Sequence, residues 1–286
     1  MHRFDTPSPI EVRIDVVGDA RITASDRDDT IVHVQPRDPS KSKDRRAAEQ
    51  TTVEYAEGRL RVATAKSWRR FTPTSGSELV SVTVEVPTAS AVDATTGFGD
   101  LQLEGELGDC RLKTGMGAVR VDRAAALRAT TGFGDVTVDA VDGAAEATTG
   151  SGEVRLDHVG GATTVNNSNG ATALGDCVGP VRVKSANGDV RIERARTSVT
   201  ATTACGDLRV LEVGGGDVSL ETAVGLVEVG VRQGVAAWLD LSTRFGTVRN
   251  ALGDVAPPAP GEPTVQVRAR TSAGDVLVGR AAAHSG

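Results

Sequence analysis

The residues of this 286-residue chain that could do chemistry fall into columns, not clusters. Counted from a glycine that recurs along the chain, acids stand one residue later: Asp100, Asp135, Glu153, Asp189, Asp207 and Asp275. Arginines stand three later (Arg120, Arg155, Arg191, Arg209, Arg249), and acids return five later (Glu104, Asp122, Asp139, Asp157, Glu193). Paired carboxylates could act as general acid and base, stacked ones could hold calcium, and a striped face could dock a basic partner. The regular repetition explains the stripes without any of these. Exposed ion pairs contribute only about 0 to 1 kcal/mol each, so the expected roles are solubility and lateral register. Repulsion between exposed carboxylates one strand apart is only on the order of 1 kcal/mol in water, so no cation is required.

Other chemistry-bearing residues are sparse. The four histidines, His2, His33, His158 and His284, show no ligand spacing, so no metal site is expected. No serine or cysteine stands beside a histidine base, and a column of threonines three before the glycine lacks bases. That column is read as a structural ladder in which hydroxyls pass hydrogen bonds from coil to coil. A polysaccharide-cleaving enzyme would use grouped acids and aromatic platforms, but aromatic residues make up only 3% of the chain. Phe98, Phe133 and Phe245 are expected to share one inward column. Cys110, Cys177 and Cys205 fall in three different columns, too far apart to bridge, and are read as small buried hydrophobes. The cluster Trp68, Arg69, Arg70 and Phe71 interrupts the pattern, and aromatic and arginine side chains are the usual anchors of interfaces. It is the candidate contact surface.

The element that positions these columns is a repeat of about eighteen residues. Its glycines are Gly99, Gly117, Gly134, Gly152, Gly170, Gly188, Gly206, Gly225, Gly246 and Gly274. Seven and five residues before the anchor the chain is apolar, as in Val92 and Ala94 or Val181 and Val183, with charged residues between. Such alternation marks a strand buried on one face. Two and four after the anchor the apolar positions resume out of phase, as in Val136 and Val138, and a third inward position follows at Val141, Val159 and Cys177. Slipped parity across a glycine is a corner. Three short sides and three corners make one coil of a β-solenoid, so the expected fold is all-β, with about ten coils, right-handed because parallel crossovers prefer that hand.

Residues 1–90 carry less regular strand-like runs and are expected to cap the stack as hairpins continuous with it. The regular repeats occupy 91–280, and 281–286 form a tail. Pro36 to Gln50 reads as a polar loop. The last anchor, Gly274, lacks an obvious cap, so self-association through a solenoid end is one expectation and a protein partner another. A net charge of −6 argues against a general nucleic-acid binder. No run of eighteen apolar residues could span a membrane. The first ten residues hold no apolar export core, so a cytoplasmic location is expected. No cofactor is implied.

The blocks Thr-Gly-Phe-Gly-Asp-Leu at 96–101 and Thr-Gly-Phe-Gly-Asp-Val at 131–136, Asn-Gly-Asp-Val at 187–190 and Ser-Val-Thr-Val-Glu-Val-Pro at 81–87 resemble a bacterial domain of unknown function labelled "putative adhesin" and common in actinobacteria. The resemblance spans essentially the whole chain. It implies a solenoid fold and an adhesin-like, non-catalytic scaffold or binding role, with no shared catalytic residues to carry over. A structural protein that self-assembles through its ends and a sugar-active enzyme are the rival readings.

Overall fold

The structure is a computed structural model describing residues 1–64, 78–253 and 263–282. The described residues form twenty-five strands and one helix, and the chain divides into two compact units, Met1–Asp142 and Gly143–Gly286. Each unit is a β-solenoid of parallel strands, the all-β repeat fold that the glycine spacing implies.

In the second unit the first side of each coil is a strand such as Thr163–Asn169 or Val181–Asn187, stacked in register so that Ala145, Thr163, Val181 and Val199 superpose. The next side is a strand such as Thr172–Cys177 or Val190–Ala195, again in register. Its burial runs in, out, in, out, out, in, which places Cys177 and Ala195 inside after a bend. Three inward columns therefore close around a core of valine, leucine and alanine. Val183, Ile192, Ala195 and Val210 are all 0–1% exposed, and a fully buried Val or Leu side chain contributes about 1.5–3 kcal/mol.

The coils do not stack in chain order. Strand Thr264–Ala273 lies between Gly216–Val224 and Ala236–Phe245, and Val276–Arg280 lies between Val227–Val231 and Val248–Asn250. The last coil in the sequence is thus an interior one, and residues 236–250 form the terminal coil in space. This corrects the expectation that the coil of Gly274 forms the end. Side chains account for the order: the Thr247 N–H donates to Asp275 Oδ1 at 2.8 Å and Thr243 Oγ1 donates to the Gly274 carbonyl at 2.9 Å. Stacked in chain order, Thr247 would face Leu226, which offers no acceptor.

The first unit repeats the device at its N-terminus. Strand Glu11–Val16 lies between Arg59–Thr64 and Ala91–Phe98, and Gly18–Ser25 lies between Val80–Pro87 and Leu101–Met116. Antiparallel strands complete this edge: Thr51–Ala56 on Arg59–Thr64, Asp29–Pro36 on Val80–Pro87, and His2–Asp5 on Asp29–Pro36. Within the stretch read as a polar loop runs the helix Ser42–Glu49. Periodicity shows little there because buried Asp44, not an apolar stripe, anchors it: its carboxylate accepts from the Asp38 and Leu79 N–H groups, each at 3.1 Å.

Candidate binding surfaces

The threonine and acid columns act together at the corners. Thr114 Oγ1 donates to the Gly99 carbonyl and Thr131 Oγ1 to the Gly117 carbonyl, both at 3.1 Å. In the second unit Thr222 reaches Gly206 and Thr271 reaches Gly225, also at 3.1 Å. The hydroxyls therefore link neighbouring coils, but through the backbone of the anchor glycine and not through one another. The acid one after the anchor serves the other end of the same peptide. Asp100 Oδ1 accepts from the Ala118 N–H at 2.8 Å, and Asp189 and Asp207 accept from the N–H groups of Asp207 and Leu226 at 2.9 Å. A corner peptide points out of the strand ladder and would otherwise lack partners. Glycine is required there: at Gly117 φ is +151° and a Cβ would lie 2.0 Å from the Gly99 carbonyl oxygen.

Three arginines of the stripe are likewise engaged within the fold. Arg155 bonds Asp157 at 2.9 Å, Arg191 bonds Glu193 and Arg209 bonds Asp207, both at 2.7 Å. At the next bend Arg196 Nη2 lies 2.6 Å from Asp176, and this hydrogen bond holds the Asp176 carboxyl below its ordinary value despite partial desolvation. Among the described residues no three His, Cys, Asp or Glu side chains gather in a way that could hold a metal ion. No helix there is long and apolar enough to cross a membrane.

The candidate residues Trp68, Arg69, Arg70 and Phe71 lie outside the described residues. A different surface emerges from the column one before the anchor. Phe98, Met116 and Phe133 are 42%, 50% and 61% exposed and sit on adjacent rungs, Phe98 beside Met116 and Met116 beside Phe133. Their expected inward placement is thereby corrected for Phe98, Phe133 and also Phe245, which is 77% exposed. Alternation along the strand ends at the buried threonine, and the corner begins before the glycine, at Gly97, Gly115 and Gly132. The following residue is therefore turned outward. Cys205 shares this column and is exposed, whereas burial pushes the Cys110 and Cys177 thiols up to about 12 and about 11. Sequence parity hid this surface; the clue was a large apolar residue directly before a corner glycine.

Beside the Phe98–Met116–Phe133 ladder the same outer face presents Gly97, Gly115 and Gly132, then Arg111, Lys113 and Arg128. In the second unit the corresponding column turns polar at Asn169 and Asn187, whose side chains bond at 3.0 Å. There the threonine column is interrupted by Asn167, whose Nδ2 takes the Gly152 and Gly170 carbonyls at 3.1 and 2.9 Å. Its Oδ1 and the nearby Ser185 Oγ are buried without partners, beneath a notch of about 260 Å³.

This repeat of corner glycine, threonine and acid on stacked parallel coils coincides with a known family: residues 10–231 match Toastrack DUF4097. The chain belongs to that family. The Toastrack match accordingly takes in the first unit from residue 10 onward and most of the second. Solved structures similar to this chain include one described as a "putative adhesin" from Bacteroides fragilis, at 12% identity and a TM-score of 0.42, covering 97% of this chain and 95% of that one. Another of the same description, from Parabacteroides distasonis, shares 13% identity with a TM-score of 0.29, covering 96% and 95%. No curated protein matches this Toastrack chain.

Proposed function

We propose that the protein is a non-catalytic scaffold that binds a partner through the outer face of its first unit, adhesin-like in role. The observation that carries this reading is the exposed Phe98–Met116–Phe133 ladder. Apolar side chains held on adjacent rungs of a hydrogen-bonded stack bind without any need to order the backbone beneath them, and contiguous exposed apolar surface marks interaction sites. Several acids and arginines of the striped columns, by contrast, already serve the corners and one another. Arg111 and Lys113 flank the ladder, so the partner surface that fits is flat and apolar at its centre, with acidic groups at one rim.

The test is capture from cell extract by immobilised wild type against a Phe98→Ser, Met116→Ser, Phe133→Ser variant of unchanged melting temperature. Loss of the captured partner is expected, and equal capture by both baits would sink the reading. The setting proposed is the cytoplasm. Support comes from three free cysteines, one of them the exposed Cys205, a pattern suited to a reducing compartment. Recovery of the protein in an outer-surface fraction would overturn that assignment.

A further inference from the structure

The terminal coil of the second unit leaves a strand edge open. Among the described residues Ala236–Phe245 pairs only with Thr264–Ala273, and Val248–Asn250 only with Val276–Arg280. One row of backbone N–H and C=O groups therefore faces away from the stack. The inward column is open there too: Leu239, Leu241 and Thr243 are only half-buried, whereas Val267, Ala269 and Thr271 on the adjacent rung are 0%, 0% and 5% exposed. Around this rim Trp238, Phe245 and Val248 are 69%, 77% and 42% exposed. Soluble proteins blunt such edges with charge, proline or a covering element, because a free edge templates pairing with another strand.

We propose that this edge pairs antiparallel with the same edge of a second copy, in a closed two-fold dimer with Leu241 on the axis and Trp238 opposite Arg244 of the partner subunit. The occupant must supply both a free strand edge and apolar residues level with Leu239 and Leu241, and a second copy brings both. Two-fold symmetry makes the pairing antiparallel and self-limiting. Among the described residues the outermost strands of the first unit, Thr51–Ala56 and His2–Asp5, run antiparallel to their neighbours and so present a different kind of edge.

Side chains select the register. With Leu241 on the axis, Asp240 faces a serine, Leu239 faces a threonine methyl, and each Trp238 meets an arginine, twice by symmetry. A guanidinium over an indole face is attractive, and Arg244 is exposed with no ion pair among the described residues. Sliding one pair toward the N-terminus sets Asp240 against Asp240 of the partner subunit, and like charges directly opposite are destabilising. Sliding the other way moves Trp238 beyond the partner's strand. Asp240 itself is held by Arg268 and Arg270 of its own chain, each at 3.2 Å, so it is not available as a bridge.

Light scattering on the full chain, coupled to size exclusion over a wide range of concentrations, tests this. Wild type is expected at twice the 29.5 kDa chain mass. Trp238→Lys, which sets two cations against each other at an exposed position, is expected at the single-chain mass with an unchanged melting temperature. Trp238→Lys combined with Arg244→Glu is expected to restore the dimer, which only this register allows. A wild type that stays monomeric across the whole range would overturn the proposal. So would an open-ended polymer, a Trp238→Lys variant that stays dimeric, or a double variant that fails to recover.

Discussion

Thr131 and Asp100 hold opposite ends of one peptide unit: the threonine hydroxyl donates to the Gly117 carbonyl at 3.1 Å, and the aspartate accepts from the Ala118 N–H at 2.8 Å. One comes from the coil after that peptide and the other from the coil before it. Corner satisfaction is therefore a property of three stacked coils, which no single repeat could achieve alone.

Thr131→Val keeps the shape and the burial but leaves a buried carbonyl without a donor. A cost of about 1–2 kcal/mol is expected, read from the midpoint of urea unfolding, with Thr131→Ser losing distinctly less. Gly117→Ala meets both a positive φ and a carbonyl oxygen 2.0 Å from the new Cβ, so about 3 kcal/mol or more is expected. Gly58→Ala is the control: φ is +73° there, but nothing lies within 4 Å, and the expected cost is about 1 kcal/mol. Equal costs at the two glycines would show that close stacking plays no part.

At Asn167 the ladder works against itself. Its amide nitrogen occupies the Gly170 carbonyl that Ser185 would otherwise reach, while its own Oδ1 and the Ser185 hydroxyl stay buried without partners. Asn167→Thr restores the column and frees that carbonyl, so a gain of about 1 kcal/mol is expected. A variant less stable than wild type would indicate that the amide contributes more than its unpaired oxygen costs.

Much of this architecture was legible because a solenoid writes its symmetry into spacing. The less regular strand-like runs of residues 1–90 correspond to strands such as Asp29–Pro36, Arg59–Thr64 and Val80–Pro87, since inward and outward positions alternate wherever one face is buried. What stayed hidden lay outside local periodicity. No period ranks which coils are neighbours, so the insertion of Thr264–Ala273 between two earlier coils was invisible until Asp275 could be seen beside Thr247. Parity predicts facing only along a straight strand, which is why Phe98, Phe133, Phe245 and Cys205 were misplaced where the chain starts to turn. The acid column looked like a surface because an exposed aspartate gives no sign, in sequence, that it accepts a backbone N–H from the next coil.

The inserted coil makes a prediction about local opening. Amides of Thr264–Ala273 lie between two strands, whereas Ala236–Phe245 has one neighbour among the described residues. In the monomeric Trp238→Lys variant, hydrogen exchange should therefore protect the chain's last coil more strongly than the one preceding it in sequence, the reverse of fraying from a terminus. Faster exchange at Val267 and Ala269 than at Leu239 and Leu241 would contradict the stacking order.

The three thiols should separate kinetically. Cys110 and Cys177 are buried, with their thiols pushed up to about 12 and about 11 by desolvation, and Cys205 is exposed. Because the thiolate is the reactive form, a disulfide reagent at neutral pH is expected to modify one cysteine in the folded protein and all three after unfolding. Substituting Cys205 with serine should abolish the fast phase. A remaining fast phase in that variant would place one of the other two at the surface.

Acid should weaken the fold through Asp176. Its side chain is 22% exposed, and its carboxyl is held below the ordinary 3.8 first by the hydrogen bond from Arg196 and then by the charges of Arg196, Arg194 and His158, against an opposing desolvation penalty. A carboxyl with a depressed folded-state pKa binds protons more readily when the chain is unfolded, so its stabilisation is complete above the unfolded value and disappears as pH falls through the folded one. The melting temperature should hold steady down to about pH 4 and then decline as the solution becomes more acidic. Asp176→Asn should lower the melting temperature at neutral pH, where the ion pair with Arg196 is lost, yet show a shallower decline in acid because one depressed carboxyl is gone. Parallel curves for the two proteins below pH 4 would mean that Asp176 titrates alike in the folded and unfolded chains.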